Sequence, residues 1–339
     1  MSIYDLMLEE IEEYILSIGG KKYNAMQIFE WLYVHKVDSY DKMTNIKKEM
    51  LEKIGKDYSI NRLKIEKVER DKDVNKYLFK LDDDNYIEAV LMRHDYGNSI
   101  CISSQVGCNM GCKFCESGRL KKVRNLTTSE MIRQILQVEE DLKERISHVV
   151  IMGIGEPFDN YDNVIKMIKI INHPKGLAIG ARHITVSTCG IIPKIKEFMN
   201  LDLQVNLAIS LHASNDELRS KLMPINKVYP LKELMGVLKE YTDKTNRRLT
   251  FEYILLKDVN DSEKNALELV SLIKGTNSYV NLIPYNETEN LEFNRSNIVQ
   301  INKFYDILKK NNVNVTIRRE FGGNISAACG QLRSRKESL

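Results

Sequence analysis

The sequence contains three cysteines within eight residues, Cys108, Cys112 and Cys115, in the spacing C-x3-C-x2-C. Iron–sulfur clusters usually take four cysteines, so three thiolates around a four-iron cluster leave one iron open to an exchangeable ligand. Structural zinc, the alternative, prefers four closed ligands, commonly two C-x2-C pairs, and no second pair is present. Cys101 could be a fourth ligand only if the chain bent back. The spacing therefore favours a catalytic iron–sulfur cluster over zinc, and either over three unrelated buried thiols.

A second candidate motif, residues 153–157 with the sequence GIGEP, follows a later apolar run. Glycines allow a ligand to approach the backbone closely, and the carboxylate of Glu156 can pair with an ammonium group. Taken alone, the motif fits an ordinary strand-to-helix turn equally well. Together with the cysteines, it indicates a ligand site at the end of a strand.

The elements that position these motifs are predicted from the alternation of short apolar runs with amphipathic helices after residue 99. This alternation is typical of βα units around a parallel sheet. Six or seven units are too few to close an eight-fold barrel, so we expect an α/β fold with an open, partial barrel of (βα)6 type. Capping boxes at 127–130 and 214–217 predict helix starts. The predicted strands are 100–106, 148–154, 183–187, 205–211, 249–256, 279–283 and 313–317.

The length of 339 residues allows one large domain and a small one. Apolar residues at helical spacing predict an N-terminal helical domain at 1–60. Alternating residues predict a β connector at 61–95. The partial barrel, including a C-terminal segment with Cys329, would occupy 96–339.

Charge and composition restrict the class of protein. With 43% hydrophobic residues the chain is not disordered, and 50 basic against 47 acidic residues give a net charge of only +3. The acidic N-terminus argues against a secretion signal, and the lack of a run of about 20 apolar residues argues against membrane insertion. The six cysteines are too unevenly spaced for a disulfide scaffold. We therefore expect a soluble, cytoplasmic protein without a membrane partner.

Three basic runs lie beside the proposed site, and they favour RNA as the partner because such patches neutralise phosphates. Any single run fits an ordinary solvated face better. The runs contain Arg119, Lys121, Lys122 and Arg124, then Arg318 and Arg319, then Arg333, Arg335 and Lys336.

The cysteine motif and the Gly-Glu motif together resemble the radical S-adenosylmethionine (SAM) superfamily, in which the open iron chelates the amino and carboxylate groups of SAM. The resemblance narrows to the RlmN/Cfr family of rRNA methyltransferases, and it extends from about Glu88 to Leu332. The N-terminal helices also look like the accessory domain of that family, which implies that residues 1–60 bind RNA. The motifs that carry the resemblance are SSQVGC (103–108), RNLT (124–127), MGIGEP (152–157), SLH (210–212), MPIN (223–226), NLIP (281–284) and AACGQL (327–332).

The resemblance implies the cofactors and the residues that bind them. Cys108, Cys112 and Cys115 would hold one [4Fe-4S] cluster per subunit. The SAM-binding residues lie at or just beyond the C-terminal ends of apolar runs, where barrel enzymes build their active sites. Taken singly, Ser187 and His212 fit better as polar residues that satisfy a loop. The implied SAM contacts are Gly155, Glu156, Ser187, Ser210, Leu211, His212 and Asn286.

The resemblance also assigns catalytic roles to Cys329, Cys101 and Glu88. In the family, the residue matching Cys329 is methylated by one SAM, and a second SAM is cleaved to a 5′-deoxyadenosyl radical that takes hydrogen from this methyl group. A carbon radical can add to an electrophilic adenine carbon that SAM cannot methylate directly. Cys101 matches the thiol that releases the product, and Glu88 matches a carboxylate assigned to proton transfer. Without the resemblance, Cys329 reads as a small buried residue and Glu88 as a solvated strand charge.

The implied activity is methylation of carbon 2 of an adenosine in 23S rRNA, and also of the adenosine next to the anticodon in tRNA. We expect a monomer that takes electrons from a flavodoxin or ferredoxin. Pro157, Ala213 and Pro284 resemble this carbon-2 branch, whereas Glu116, Ser117, Gly118, Cys189 and Ser326 depart from the common pattern.

Two alternatives remain open at the level of the sequence. The Cfr-type branch methylates carbon 8 of the same rRNA adenosine and confers antibiotic resistance. A protein of another class, a non-enzymatic RNA-binding protein with a structural metal, would hold zinc at the cysteines and would not need Cys329.

Overall fold

The computed structural model describes residues 1–288, 290–318 and 330–332. Its helices are α1 Leu8–Ser17, α2 Lys22–Tyr33, α3 Lys48–Asp57, α4 Thr128–Leu142, α5 Tyr161–Asn172, α6 Ile192–Phe198, α7 Asp216–Leu222, α8 Leu231–Thr245, α9 Glu263–Ile273 and α10 Ile298–Lys310. Its strands are β1 Lys64–Asp71, β2 Val74–Lys80, β3 Tyr86–His94, β4 Gly97–Cys101, β5 Gln105–Val106, β6 Arg124–Asn125, β7 Ile146–Ile151, β8 Ile184–Thr188, β9 Asn206–Ser210, β10 Leu249–Leu255, β11 Ser278–Pro284 and β12 Val315–Ile317.

One sheet of ten strands, in the order β1-β2-β3-β4-β7-β8-β9-β10-β11-β12, forms the centre of the molecule. From β4 onward every neighbouring pair is parallel. Helices α4 to α10 lie between these strands in the sequence and give six βα units, followed by the short strand β12. The predicted α/β partial barrel is therefore confirmed.

The first predicted strand, 100–106, is wrong in its extent because it divides into β4 and β5. After Cys101 the chain turns away, since Ser103 donates its hydroxyl to the carbonyl of Glu88 at 2.6 Å and the Ser104 amide bonds to the carbonyl of Ile154 at 2.9 Å. β5 then pairs with β6 in a separate two-stranded sheet. The segment 107–123, which carries the three clustered cysteines and is called the cysteine loop, is therefore closed at its base by β5 and β6. It does not extend directly from a barrel strand.

Antiparallel strands β1, β2 and β3 continue the barrel sheet, because β3 pairs with β4. The helices α1 to α3 pack on the outside of the barrel, and Asp5 accepts a hydrogen bond from the amide of Ser129 at the start of α4 (2.8 Å). Lys36 also forms an ion pair with Glu139 on α4 (2.8 Å). The boundaries at 60 and 95 stay predictions.

The two predicted capping boxes have different outcomes. Thr127 caps α4, exchanging hydrogen bonds with Glu130 in both directions. The second expectation is wrong by one residue: Asn215 caps α7 through the amide of Leu218, and Ser214 donates to Glu268 on α9 instead. The hydrogen bond from Ser214 to α9 is therefore formed in place of the capping box that the local sequence 214–217 predicts.

Within the part of the chain that the structure describes, every helix is too short or too polar to cross a bilayer.

The cap of α4 can be tested directly. Thr127→Ala removes the side-chain acceptor for the Glu130 amide and should lower the free energy of unfolding by about 1 kcal/mol, measured by urea denaturation. Thr44→Ala, in the exposed loop before α3, is the matched control and should change it by less than about 0.5 kcal/mol. Equal effects of the two substitutions would show that the cap does not stabilise α4.

Candidate active site

The three cysteines of the C-x3-C-x2-C motif lie together in the loop between β5 and β6. Cys108 is buried, and Cys112 and Cys115 are partly exposed. Burial raises the pKa of Cys108 to about 12 and that of Cys112 well above its usual range, and the neighbouring Cys115 adds to both rises. The charge of one thiolate therefore disfavours ionisation of its neighbours, and a bound metal would favour the thiolate form of all three.

Backbone contacts fix the shape of this loop. The Cys108 amide bonds to the carbonyl of Leu120 at 3.2 Å, and the Lys113 amide bonds to the carbonyl of Leu222 at the end of α7 at 2.9 Å. A Cβ at Gly118 would stand 2.5 Å from the carbonyl oxygen of Cys112. Glycine is required there because the loop folds back on the middle cysteine.

The donor set fits a cluster. Among the described residues, no three His, Cys, Asp or Glu side chains are close enough to share one metal ion. A four-iron cluster does not require such convergence, because each thiolate binds a different iron. The loop between β5 and β6 supplies three buried or half-buried thiols, which are the donors that a [4Fe-4S] cluster takes.

Glu156 holds the Gly-Glu turn together from a buried position. One carboxylate oxygen accepts the amide of Phe158 at 3.0 Å, and the other accepts the amide of Cys189 after β8 at 2.8 Å. Burial raises the pKa of Glu156. The carboxylate therefore already links two strand ends, and pairing with a ligand ammonium would add to these bonds.

The ends of β8 and β9 bring three further polar side chains together. The hydroxyls of Ser187 and Ser210 are 3.3 Å apart. His212 is buried and accepts the amide of Ile254 on its Nδ1 at 3.1 Å, so its Nε2 carries the proton. Burial, with a smaller effect of Arg219, lowers the pKa of His212 to about 3, which keeps the ring neutral. The Phe114 ring of the cysteine loop stands edge-on to His212 at 4.7 Å.

Most of the predicted binding residues surround one cavity. The predicted residues on its wall are Cys108, Cys112, Cys115, Gly155, Glu156, Ser187, Ser210 and His212. Leu211 instead packs its side chain in the hydrophobic core, and Asn286 is half-buried in the loop after β11, outside the cavity wall.

Sequence reasoning missed Glu252, which also lines the cavity. It lies opposite Ser210 in the sheet, is 5% exposed and accepts a hydrogen bond from Asn281 at 2.8 Å. The sequence contained a signal for this residue. Glu252 is the one acidic residue in the apolar run 249–256, and it lies two residues before Ile254, so both side chains point to the same face of a strand. Arg318, noted only as part of a basic run, lines the cavity as well.

Cys101 and Glu88 lie on one face of the sheet, next to the cavity. Cys101 is the last residue of β4 and stands opposite Val90, two residues after Glu88 on β3. Glu88 is 6% exposed, and its carboxylate lies 3.7 Å from Lys76. The sequence-only expectation of a solvated charge is therefore wrong, because the face of β3 that carries Glu88 is covered.

Cys329 lies outside the described residues, as does Ser326, but the three residues after Cys329 are described. The carbonyl of Gly330 accepts the amide of Glu116 at 2.8 Å, and the carbonyl of Leu332 accepts the hydroxyl of Ser117 at 2.9 Å. Leu332 also packs in the buried cluster that contains Cys101. Glu116 and Ser117, which depart from the family pattern, thus attach this segment to the cysteine loop.

The basic run after the cysteines is mostly neutralised within the protein. Lys122 pairs with Asp159 at 2.7 Å, and Arg124 pairs with Glu130 at 2.8 Å and with Asp83 at 2.6 Å. Arg119 lies 3.6 Å from Glu116, while Lys121 is exposed. Arg319, Arg333, Arg335 and Lys336 lie outside the described residues. This run therefore offers RNA less positive charge than its sequence indicates.

Family models match two parts of the chain. Residues 102–270 match the radical SAM superfamily, and residues 1–60 match the ribosomal RNA large subunit methyltransferase N-terminal domain. The partial barrel and the cysteine loop therefore define a radical SAM protein.

Relatives along the whole chain narrow this class. A protein of Spiroplasma citri named "Probable dual-specificity RNA methyltransferase RlmN" is 53% identical over 100% of this chain and 99% of its own length, and one of Enterococcus faecalis with the same name is 52% identical over 99% and 96%. A crystal structure of a radical SAM methyltransferase from Sphaerobacter thermophilus is 40% identical, covers 99% of this chain and 100% of its own, and superposes with a TM-score of 0.95. The chain belongs to the RlmN family of radical SAM RNA methyltransferases.

The close packing at Gly118 predicts a loss of metal binding on substitution. After anaerobic reconstitution the wild type should contain about four iron atoms per chain. Gly118→Ala should contain much less, because its Cβ would displace the backbone of Cys112. Gly236→Ala, on an exposed face of α8 with no atom within 4 Å of the new Cβ, should match the wild type. Iron analysis of the three proteins decides the point, and full iron content in Gly118→Ala would contradict it.

Proposed function

We propose that this protein methylates carbon 2 of an adenosine in 23S rRNA and of the adenosine next to the anticodon in tRNA. The names of the relatives, which describe dual-specificity RNA methyltransferases, support the two RNA classes. The match of residues 1–60 to a ribosomal RNA methyltransferase domain supports the ribosomal substrate and an RNA-binding role for α1 to α3.

One observation carries the proposed mechanism: the segment that follows Cys329 is attached both to the cysteine loop and to the surroundings of Cys101. Gly330 bonds to Glu116, directly after Cys115, and Leu332 packs with Cys101. A thiol that must meet both a radical source and a second thiol needs such a position. This supports Cys329 as the methylated residue, with one SAM consumed to methylate it and a second to activate the methyl group.

The chemistry of the cavity wall fits these cofactors, because it carries three thiols and the buried carboxylate of Glu156. Bound there, the [4Fe-4S] cluster and SAM would supply the radical that activates the methyl group on Cys329. We assign the cluster to Cys108, Cys112 and Cys115, and SAM to the strand ends. We place Gly155, Glu156, Ser187, Ser210 and His212 on the cavity wall, and we add the backbone of Leu211 and the side chain of Asn286 from the family resemblance alone.

Release of the product needs a thiol and a proton acceptor near Cys329. The radical adduct would first lose one electron, with the cluster as the acceptor, and the proton on carbon 2, which Glu88 on the same sheet face would take. The thiolate of Cys101 would then attack the sulfur of Cys329, so that an S–S bond forms and the C–S bond to the base breaks. The electron pair of that bond takes up a proton to complete the methyl group, and an external two-electron reductant must reduce the disulfide before the next turnover. Burial of both groups excludes water from this step.

Carbon 2 is favoured over carbon 8 by residues beside the SAM site. Regiochemistry depends on how an unstacked base is presented, and therefore on the shape of the pocket. Pro157 lines the cavity, Ala213 is buried directly after His212, and Pro284 ends β11. These positions resemble the carbon-2 branch.

The remaining assignments follow from this chemistry. A ribosomal substrate implies a cytoplasmic enzyme, and reductive cleavage of SAM implies an electron donor such as flavodoxin or ferredoxin. We expect the enzyme to act as a monomer.

Nucleoside analysis tests the reaction. Expression in a strain that lacks its own carbon-2 enzyme should produce 2-methyladenosine in digested 23S rRNA and tRNA, without 8-methyladenosine, by mass spectrometry. An empty vector is the control. Dominant 8-methyladenosine together with resistance to drugs of the peptidyl-transferase centre would establish the Cfr-type alternative instead.

The two thiols should have different mutant phenotypes. Cys329→Ala should carry no protein methyl group and form no product, whereas Cys101→Ala should retain RNA covalently attached through Cys329, because no thiol releases it. Denaturing gels of purified protein and mass spectrometry measure both. Cys189→Ala removes another buried thiol on the cavity wall and should show no adduct. Normal turnover of Cys101→Ala would remove Cys101 from the mechanism.

A further inference from the structure

Arg219 on α7 is a fully buried cation beside the active site. Its exposed fraction is 0%, and all of its hydrogen-bond acceptors are neutral. It donates to the carbonyls of Cys189 (2.6 Å), Leu211 (3.2 Å) and Ser210 (3.3 Å) and to the side-chain oxygen of Asn226 (3.0 Å). Among the described residues it forms no ion pair, although against the larger lowering by burial the carboxylate of Asp216 on the same helix acts to raise the pKa of Arg219.

The three carbonyls belong to the strand ends that carry the SAM-binding residues. Ser210 and Leu211 immediately precede His212, and Cys189 follows β8, two residues after Ser187. On the other side of Cys189, its amide donates to the carboxylate of Glu156. The backbone of residue 189 is therefore held between a buried anion at its N–H and a buried cation at its carbonyl.

The same helix touches the cysteine loop. Lys113, between the second and third cysteines, donates its amide to the carbonyl of Leu222, the last residue of α7. Met223 packs against Phe114 and the partly buried Cys112. Arg219 therefore lies on a helix that contacts both the strand ends around the cavity and the loop that carries the cysteines.

A buried charge without a charged partner is costly, because little solvent compensates for it. A guanidinium nevertheless stays protonated in a protein. A four-iron cluster held by three thiolates has a net negative charge that increases on reduction. A cation nearby in a medium of low dielectric favours the reduced form, and net charge is one of the factors that set cluster potentials.

We propose that Arg219 is a positioning residue that fixes the SAM-binding ends of β8 and β9 and also raises the reduction potential of the cluster through its buried positive charge. The proposal rests on the assignment of the cluster to the three cysteines. It does not depend on which RNA, or which carbon of adenine, is methylated.

The two effects separate in two variants of the full-length, reconstituted protein. Arg219→Gln removes the charge and most of the hydrogen bonds, so the midpoint potential should fall, measured by an EPR-monitored redox titration without RNA. Arg219→Lys keeps the charge but cannot reach all four acceptors, so its potential should stay near that of the wild type. In both variants the affinity for SAM, measured by equilibrium dialysis, should fall about tenfold or more.

Lys221→Gln is the matched control, because it removes a positive charge from the same helix at a position that is 69% exposed. Water and salt screen that charge, so neither the potential nor the SAM affinity should change. A wild-type potential in Arg219→Gln, or an equal fall in Arg219→Lys, would overturn the electrostatic role. Wild-type SAM affinity in both variants would overturn the positioning role.

If Arg219→Gln does not fold or bind iron, Arg219→Met, which also removes the charge, takes its place in the redox titration. A potential below that of the wild type in Arg219→Met supports the electrostatic role, and a wild-type potential overturns it. If Cys112→Ala loses iron and Arg219→Lys keeps it, the cluster assignment holds. A failed result for the potential or for SAM binding then counts only against the role of Arg219.

Discussion

The parallel pairing of β4 and β7 to β12 is the interaction on which the active site depends. Hydrogen bonds between these strands fix their register, so polar side chains in the C-terminal parts of several strands lie on the same side of the sheet. Ser187, Ser210 and Glu252 become neighbours only through that register, although more than twenty residues separate each from the next in the chain. A slip of one residue in one strand would turn its polar group into the hydrophobic core.

Buried charges then lock the strand ends that the register has brought together. Glu156 and Arg219 act on opposite sides of Cys189, and neither forms an ion pair with another residue that the structure describes. Each charge is instead stabilised by hydrogen bonds to backbone groups: Glu156 accepts from amides, and Arg219 donates to carbonyls. This arrangement keeps the cavity wall rigid while leaving its centre open to a ligand, which suits a site that must place reacting atoms accurately.

The alternating apolar runs predict the type of fold, and the cysteine spacing predicts a cluster site, because both are local signals. The other residues assigned to the candidate site were predicted only through the resemblance to a family, and most of them line the same cavity. Prediction from the sequence failed where long-range contacts decide the outcome. Ser103 and Ser104 end the first strand early because they form hydrogen bonds to the carbonyls of Glu88 and Ile154. Asn215 caps α7 in place of Ser214, because the hydroxyl of Ser214 binds Glu268 on α9. The burial of Glu88 could not be read from its acidic neighbours, because the elements that cover that face lie elsewhere in the chain.

The short pairing of β5 with β6 has a consequence for how the cofactor site forms. Bringing the ends of a loop together costs conformational entropy, and in many small metal-binding domains the metal itself must close the loop. Here two strand residues on each side, with Arg124 bound to Glu130 and Asp83, hold the ends through protein contacts. Closing this loop therefore does not require a bound cluster, because contacts within the protein already hold its two ends together.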